Sequence, residues 1–202
     1  MKKLILLAAF FLVVTSCATK TVKAITETQR IQNELVDFYA NPKTTPLNEE
    51  EKSIFKGITF FPIDDKYCIE ADFKPLEDGK VIPFPTSAGK IKHYKEYGIA
   101  TFQLEGKTHQ LTIYQSSPIQ EQYKDHLFLP FTDDTNGEST YGGGRYIDLS
   151  IEKSFIEDGK VFIDFNQAYN PYCAYSKRYN CPIPPGNNSL DTEIKAGVTY
   201  KK

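Results

Sequence analysis

Apolar and polar positions recur along this chain with two different periods. Between residues 26 and 40 the period is helical: Ile31, Leu35, Phe38 and Tyr39 fall at i, i+4, i+7 and i+8 and so share one face. Asn41-Pro42 ends that segment, because proline cannot continue a helix. A second, shorter helix is expected from Asn48 to Phe55. Asn48 can cap it, and Glu49, Glu50 and Glu51 suit the positive end of its dipole. Gly57 is expected to close it.

From Ile58 onward the period is mostly two. Thr101–Leu104 and His109–Tyr114 flank Glu105-Gly106-Lys107, a short hairpin loop. Ile147, Leu149 and Ile151 point one way, while Tyr146, Asp148 and Ser150 point the other. Val161, Ile163 and Phe165 repeat the arrangement after the Asp158-Gly159 turn. Further strands are expected near 67–74, 81–84, 91–96 and 127–131, with a final strand-like stretch from Thr192 to Tyr200. Turn signals recur about every ten residues, which favours a sandwich or barrel over alternating βαβ units. The expected fold is mainly β (α+β): an antiparallel barrel or sandwich preceded by two helices.

The first residues follow neither period. Lys2 and Lys3 precede an unbroken apolar run, Leu4 to Val14, and Thr15-Ser16 then stand before Cys17. This resembles a bacterial lipoprotein signal peptide, whose machinery cuts before the cysteine and acylates it. The apolar run is too short to span a bilayer, which needs about 20 residues. The resemblance implies a signal peptide over residues 1–16, a lipidated Cys17, a tether to residue 25 and one β-rich domain over 26–202. Ala18 in place of aspartate implies sorting to the outer membrane, facing the periplasm. Stable anchoring takes two or more acyl chains.

Removing the signal changes the bounds only modestly. About 186 residues remain, enough for one domain with its own core. Without Lys2 and Lys3 the formal charge moves from −2 to −4, with no basic block. Nucleic acid is disfavoured as a partner, because phosphate contacts need clustered Lys and Arg. Trp is absent, whereas 13 Tyr and 14 Phe suit half-buried pleated surfaces.

Residues 127–185 stand out. The segment holds Thr140-Tyr141-Gly142-Gly143-Gly144-Arg145-Tyr146-Ile147-Asp148, then Asp164-Phe165-Asn166-Gln167-Ala168-Tyr169-Asn170-Pro171-Tyr172-Cys173, then Cys181-Pro182-Ile183-Pro184-Pro185. These strings, with the stretch from Thr45 to Asp64, resemble the bacterial family classed as domain of unknown function 1684. The resemblance covers most of the mature chain and implies no particular reaction.

The residues themselves suggest a site. Three glycines permit a close backbone approach, and their amides could form an anion-binding nest. Arg145 beside them offers a planar fork for carboxylate or phosphate. The alternative is a tight bend, with Arg145 paired to Asp133, Asp134, Asp148 or Asp164. Asp148 and Asp164 lie on the polar faces of their strands. On a barrel mouth they would join Tyr141, Gly143, Arg145, Asn166 and Tyr169 around a ligand; otherwise the same groups form a buried network that pins a loop.

Cys173 and Cys181 admit two readings, a disulfide favoured by export or two buried thiols. Cys68 reads as a buried free thiol. No metal site is expected, since only three histidines occur and none approaches the cysteine pair. His93, His109 and His126 read as strand or surface residues. No cofactor is specified. The leading reading is an envelope-anchored lipoprotein that binds a small or extended polar ligand through the 127–185 face. Two alternatives stand beside it: an enzyme acting on an anionic or envelope substrate with Arg145 and Asp148 or Asp164, and an adapter contacting an envelope protein. Charge inversion at Arg145 is expected to abolish ligand binding or turnover and to spare a loop-mediated partner contact.

Overall fold

This computed structural model describes residues 26–156 and 158–200. The expected signal peptide, Cys17 and the expected tether lie outside them. Helix α1 occupies 26–40 and α2 Glu49–Ile54. Asn48 caps α2 with a reciprocal bond to Glu51, the capping box that the sequence suggests. The helix ends one residue earlier than expected. Phe55 turns extended at its end, and Gly57, at φ 89°, lies beyond the cap.

Nine strands follow among the described residues: β1 Cys68–Pro75, β2 Val81–Pro85, β3 Ile91–Leu104, β4 Lys107–Ser116, β5 His126–Asp133, β6 Arg145–Ser150, β7 Phe155–Ile156, β8 Lys160–Asp164 and β9 Ser189–Leu190. The order across the sheet is β6-β5-β4-β3-β1-β8-β7, with β2 added to β3. These eight strands are antiparallel, and they curl into a half-barrel. The chain therefore has the expected mainly β, α+β fold, but the barrel does not close. β9 pairs parallel with β5.

Two departures from the sequence reading have local causes. The β3–β4 hairpin turns on Glu105 and Gly106 alone, both at positive φ, and Lys107 already pairs with Leu104. Two central residues at positive φ match the twist of the flanking strands. The stretch from Thr192 to Tyr200 alternates as a strand should, with Ile194, Ala196 and Val198 fully buried, yet it joins no ladder. Val198 makes a single bridge to Phe60. Arg145 takes the place of a neighbouring strand by donating to the carbonyls of Ile194 and Ala196. Gly197, at φ 71°, then bends the backbone where a Cβ would meet the Ala168 carbonyl at 2.5 Å.

Between β4 and β5 the ladder holds a single pair, Tyr114 with Phe128. Asn188, fully buried, fills the gap below it. Its Oδ1 accepts from the Thr112 amide at 2.9 Å, and its Nδ2 donates to the Thr112 and Pro130 carbonyls, each at 2.8 Å. One side chain thus satisfies backbone groups that the separated strands leave open.

The sheet buries both faces. One face carries the main core, including Leu111, Ile113, Leu129, Phe131, Ile147 and Ile163. Its other face carries an aromatic cluster of Phe84, Tyr114, Phe128 and Tyr146, with Tyr94 and Tyr169 packed against it. That second cluster is covered by the segment that follows β8, and there a groove forms.

Candidate functional site

The outer face of β5 and β6 is set by strand parity. Leu127, Leu129 and Phe131 turn inward, so His126 and Phe128 turn outward. Phe128 stands directly opposite Asp148, and Ser150 opposite His126. His126 therefore reaches Asp148 on the diagonal, with Nε2 2.9 Å from Oδ1. Tyr169 exchanges two backbone hydrogen bonds with Tyr146, at 3.0 and 2.9 Å, and docks on the free edge of β6. Its hydroxyl donates to the Asp148 carboxylate, 3.0 Å from either oxygen.

The opposite wall is the loop from Pro171 to Pro182. Cys173 and Cys181 are joined in a disulfide, with Cα atoms 6.1 Å apart. Ser87 fixes the loop to the end of β2: its amide donates to the Cys181 carbonyl at 3.0 Å, and its hydroxyl accepts from the Cys181 amide at 3.1 Å. The Tyr146 hydroxyl donates to the Pro182 carbonyl. On the helix side, Arg178 and Tyr179 both donate to the Pro46 carbonyl, at 2.7 and 2.9 Å.

Between these walls lies a groove of about 570 Å³. Its floor is aromatic, with Tyr94 stacked on Phe128 at 5.1 Å and Phe128 edge-on to Tyr146 at 4.7 Å. Its far wall presents Tyr172 and Tyr179, whose ring centres are 5.0 Å apart. Lys92, His126, Asp148, Arg178 and Asn180 supply the polar groups.

The electrostatics follow from these contacts. The hydrogen bond to Asp148 raises the His126 pKa against a smaller opposing effect of burial. Burial, with the Asp148 charge beside it, raises the Tyr169 phenol, which remains a donor. Burial pushes Tyr94 up to about 12. Away from the groove, burial and the Asp164 charge push the Cys68 thiol up to about 12, so that it is inert at neutral pH.

Of the seven residues singled out by sequence, Asp148 and Tyr169 line this groove. The structure does not bring the others to it. Arg145 is wholly enclosed on the side of the main core, bonded to Asp133 at 2.8 Å. Charge inversion there would disrupt the core and could not report on ligand contact. Asp164 and Asn166 hold helix α1: Thr28 donates to Asp164, and Gln32 donates to the Asn166 carbonyl at 2.9 Å. Asn166 also donates to Asp164 at 2.8 Å, so these two do meet each other. Tyr141 packs edge-on against Tyr200, and Gly143 lies in an exposed turn closed by Gly144 and Tyr141. The glycine run is thus a bend. Gly144, at φ 84°, lies where a Cβ would meet the Phe131 carbonyl at 2.7 Å.

Sequence reasoning passed over His126, Lys92, Tyr94, Phe128, Tyr146, Tyr172, Arg178 and Tyr179. For His126 and Phe128 a signal existed, since they alternate with the apolar run Leu127, Leu129 and Phe131. Tyr146 shares the outward face of Asp148, Lys92 and Tyr94 join it from β3 across the sheet, and Tyr172, Arg178 and Tyr179 arrive only through docking of the disulfide loop. Among the described residues no three His, Cys, Asp or Glu side chains gather as a metal ion requires.

A curled antiparallel sheet, covered on its outer face by a disulfide-held aromatic loop, defines the architectural class. Within it, the chain belongs to the family described as protein of unknown function (DUF1684), whose model matches residues 53–199. The solution NMR structure of an uncharacterised protein from Haloarcula marismortui is similar, with a TM-score of 0.71 and 30% sequence identity. That match covers 90% of this chain and 97% of the other. Comparison with the curated proteins gives no match.

Proposed function

We propose that this chain is an envelope-anchored lipoprotein that holds a small or extended polar ligand in the groove on its 127–185 face. The observation that carries the binding reading is the groove itself. A concave aromatic surface with a few convergent polar groups is the usual form of a small-molecule site. Asp148 is half-exposed and already oriented by His126 and Tyr169, so its free acceptor sites are preorganised. The anchoring reading is supported by Lys2, Lys3, the apolar run from Leu4 to Val14 and Cys17, with Ala18 favouring the outer membrane.

Saturation-transfer NMR of the full chain against a library of small polar fragments tests the binding reading. Fragments whose signal falls in both Asp148→Asn and Tyr172→Leu support the groove. Fragments that bind all three proteins equally, or an absence of any bound fragment, refute it.

One observation favours a second reading, an enzyme. Asp148 meets His126 as a carboxylate that orients an imidazole for proton transfer. The described groove lining holds no Ser, no Thr and no free Cys, so a covalent nucleophile of those types is not part of this reading. Turnover lost in His126→Gln with ligand binding retained would establish it.

A further inference from the structure

We infer that the ligand of this groove is a neutral or mildly acidic oligosaccharide, an inference that rests on the groove reading above. Three features of the lining select this chemistry.

The first is the kind of apolar surface. Among the described residues, five tyrosines and one phenylalanine line the groove, with no Leu, Ile, Val or Met. An acyl chain is matched by deformable aliphatic side chains. Flat rings with polar edges match another ring that is apolar on its faces and polar around its rim. Tyr172 is 38% exposed, so part of its ring remains uncovered.

The second is the valence of Asp148. An ionised carboxylate has about four acceptor sites and no donor. Tyr169 and His126 occupy part of this capacity. The remaining sites, on a half-exposed group, call for a ligand with neighbouring donors. Adjacent hydroxyls on a sugar ring supply such a pair.

The third is charge. An aromatic groove with a carboxylate could also cage an ammonium ion. Here Lys92, Arg178 and, when protonated, His126 share the groove with a single carboxylate, which opposes a cation. A phosphate-rich ligand fares no better. Arg178 commits Nη2 to the Pro46 carbonyl and to Glu51 at 3.3 Å, so its charge is already offset by a carboxylate and it is a weakened anchor for phosphate. Lys92 has no ion-pair partner among the described residues, which leaves room for one acidic substituent.

The test is saturation-transfer NMR on the full chain in a detergent free of sugar and choline. The probes are hexamers of glucose, N-acetylglucosamine and galacturonic acid, with choline and adenosine monophosphate as contrasting ligands. At least one hexamer is expected to bind. Its affinity should fall at least tenfold in Asp148→Asn, which removes charge at an exposed position, and in Tyr172→Leu, which keeps apolar bulk but removes the ring. Thermal midpoints that fall by no more than about 4 °C in either variant would assign the loss to the groove. Binding of choline or the nucleotide with no hexamer bound would overturn the inference, as would no bound hexamer at all or a hexamer held equally by the variants. If polar fragments occupy the groove while every hexamer fails, the sugar assignment falls and the binding reading stands.

Discussion

Arg145 and Asp148 lie three positions apart on one strand and face opposite sides of the sheet. Arg145 enters the core with Asp133, and both side chains are fully enclosed. Burial lowers the pKa of Arg145 while Asp133 opposes the shift, and a guanidinium keeps its proton throughout. Removing one partner of such a pair leaves a buried charge uncompensated, at a cost of about 3–5 kcal/mol. Arg145→Met should therefore lower unfolding stability by that amount in urea titrations, and adding Asp133→Leu should not restore it, because Asp133 also accepts from the buried Thr135 and Ile194 amides. On the outer face, Asp148 raises the His126 pKa above its unfolded value of about 6.5. The pair's contribution is thus fully present below pH 6.5 and is lost as pH rises through the folded value. Both groups are more than a third exposed, so water and salt hold that contribution to at most about 1 kcal/mol. NMR titration should show the His126 pKa falling towards 6.5 in Asp148→Asn.

The same parity explains what could be read about the site. Alternation along β6 places Asp148 outward, and that was visible from residues 146–151. It also places Arg145 inward, so the two cannot share a ligand, a consequence that proximity in sequence obscured. Tyr172, Arg178 and Tyr179 carry no periodic signal, and the groove exists because their loop docks on a distant sheet face.

Elements show the same division. The β3–β4 hairpin, the capped α2 and the inward faces of β5, β6 and β8 were legible because local chemistry and tertiary structure agree. The C-terminal stretch was not, because its alternation reflects burial without ladder pairing. The half-barrel was equally hidden. The β4–β5 ladder nearly parts, and Asn188, far along the chain, bridges the opening. Asn188→Ala would leave the Thr112 amide and two carbonyls without their partner. Each unsatisfied buried group costs roughly 1–3 kcal/mol, so a loss of about 2–4 kcal/mol is expected in chemical denaturation. Reducing the Cys173–Cys181 bridge reopens a short loop, worth about 2–3 kcal/mol in the chain-entropy model. Because this loop forms a groove wall, the reduced protein should lose groove ligands before it loses the sheet, as followed by near-ultraviolet against far-ultraviolet circular dichroism and fragment binding.

For the molecule as a whole, the described residues contain no helix long and apolar enough to cross a membrane. The anchoring reading proposed above places attachment at Cys17 and is tested there. Cys17→Ser should release the protein from the membrane fraction or leave an uncleaved precursor, and identical fractionation of variant and wild type would refute acylation there.

Helix α1 is bound to the body by Thr28 and Gln32, through Asp164 and Asn166. In the anchoring reading, this docking would set the length of the leash. From Cys17 to Thr26 the chain makes nine steps, which span at most about 30–32 Å when drawn straight. With Cys17 acylated, the body can stand no farther than that from the lipid headgroups. Its groove would work in the layer of solution next to the bilayer, on molecules that are themselves membrane-bound or brought to that surface.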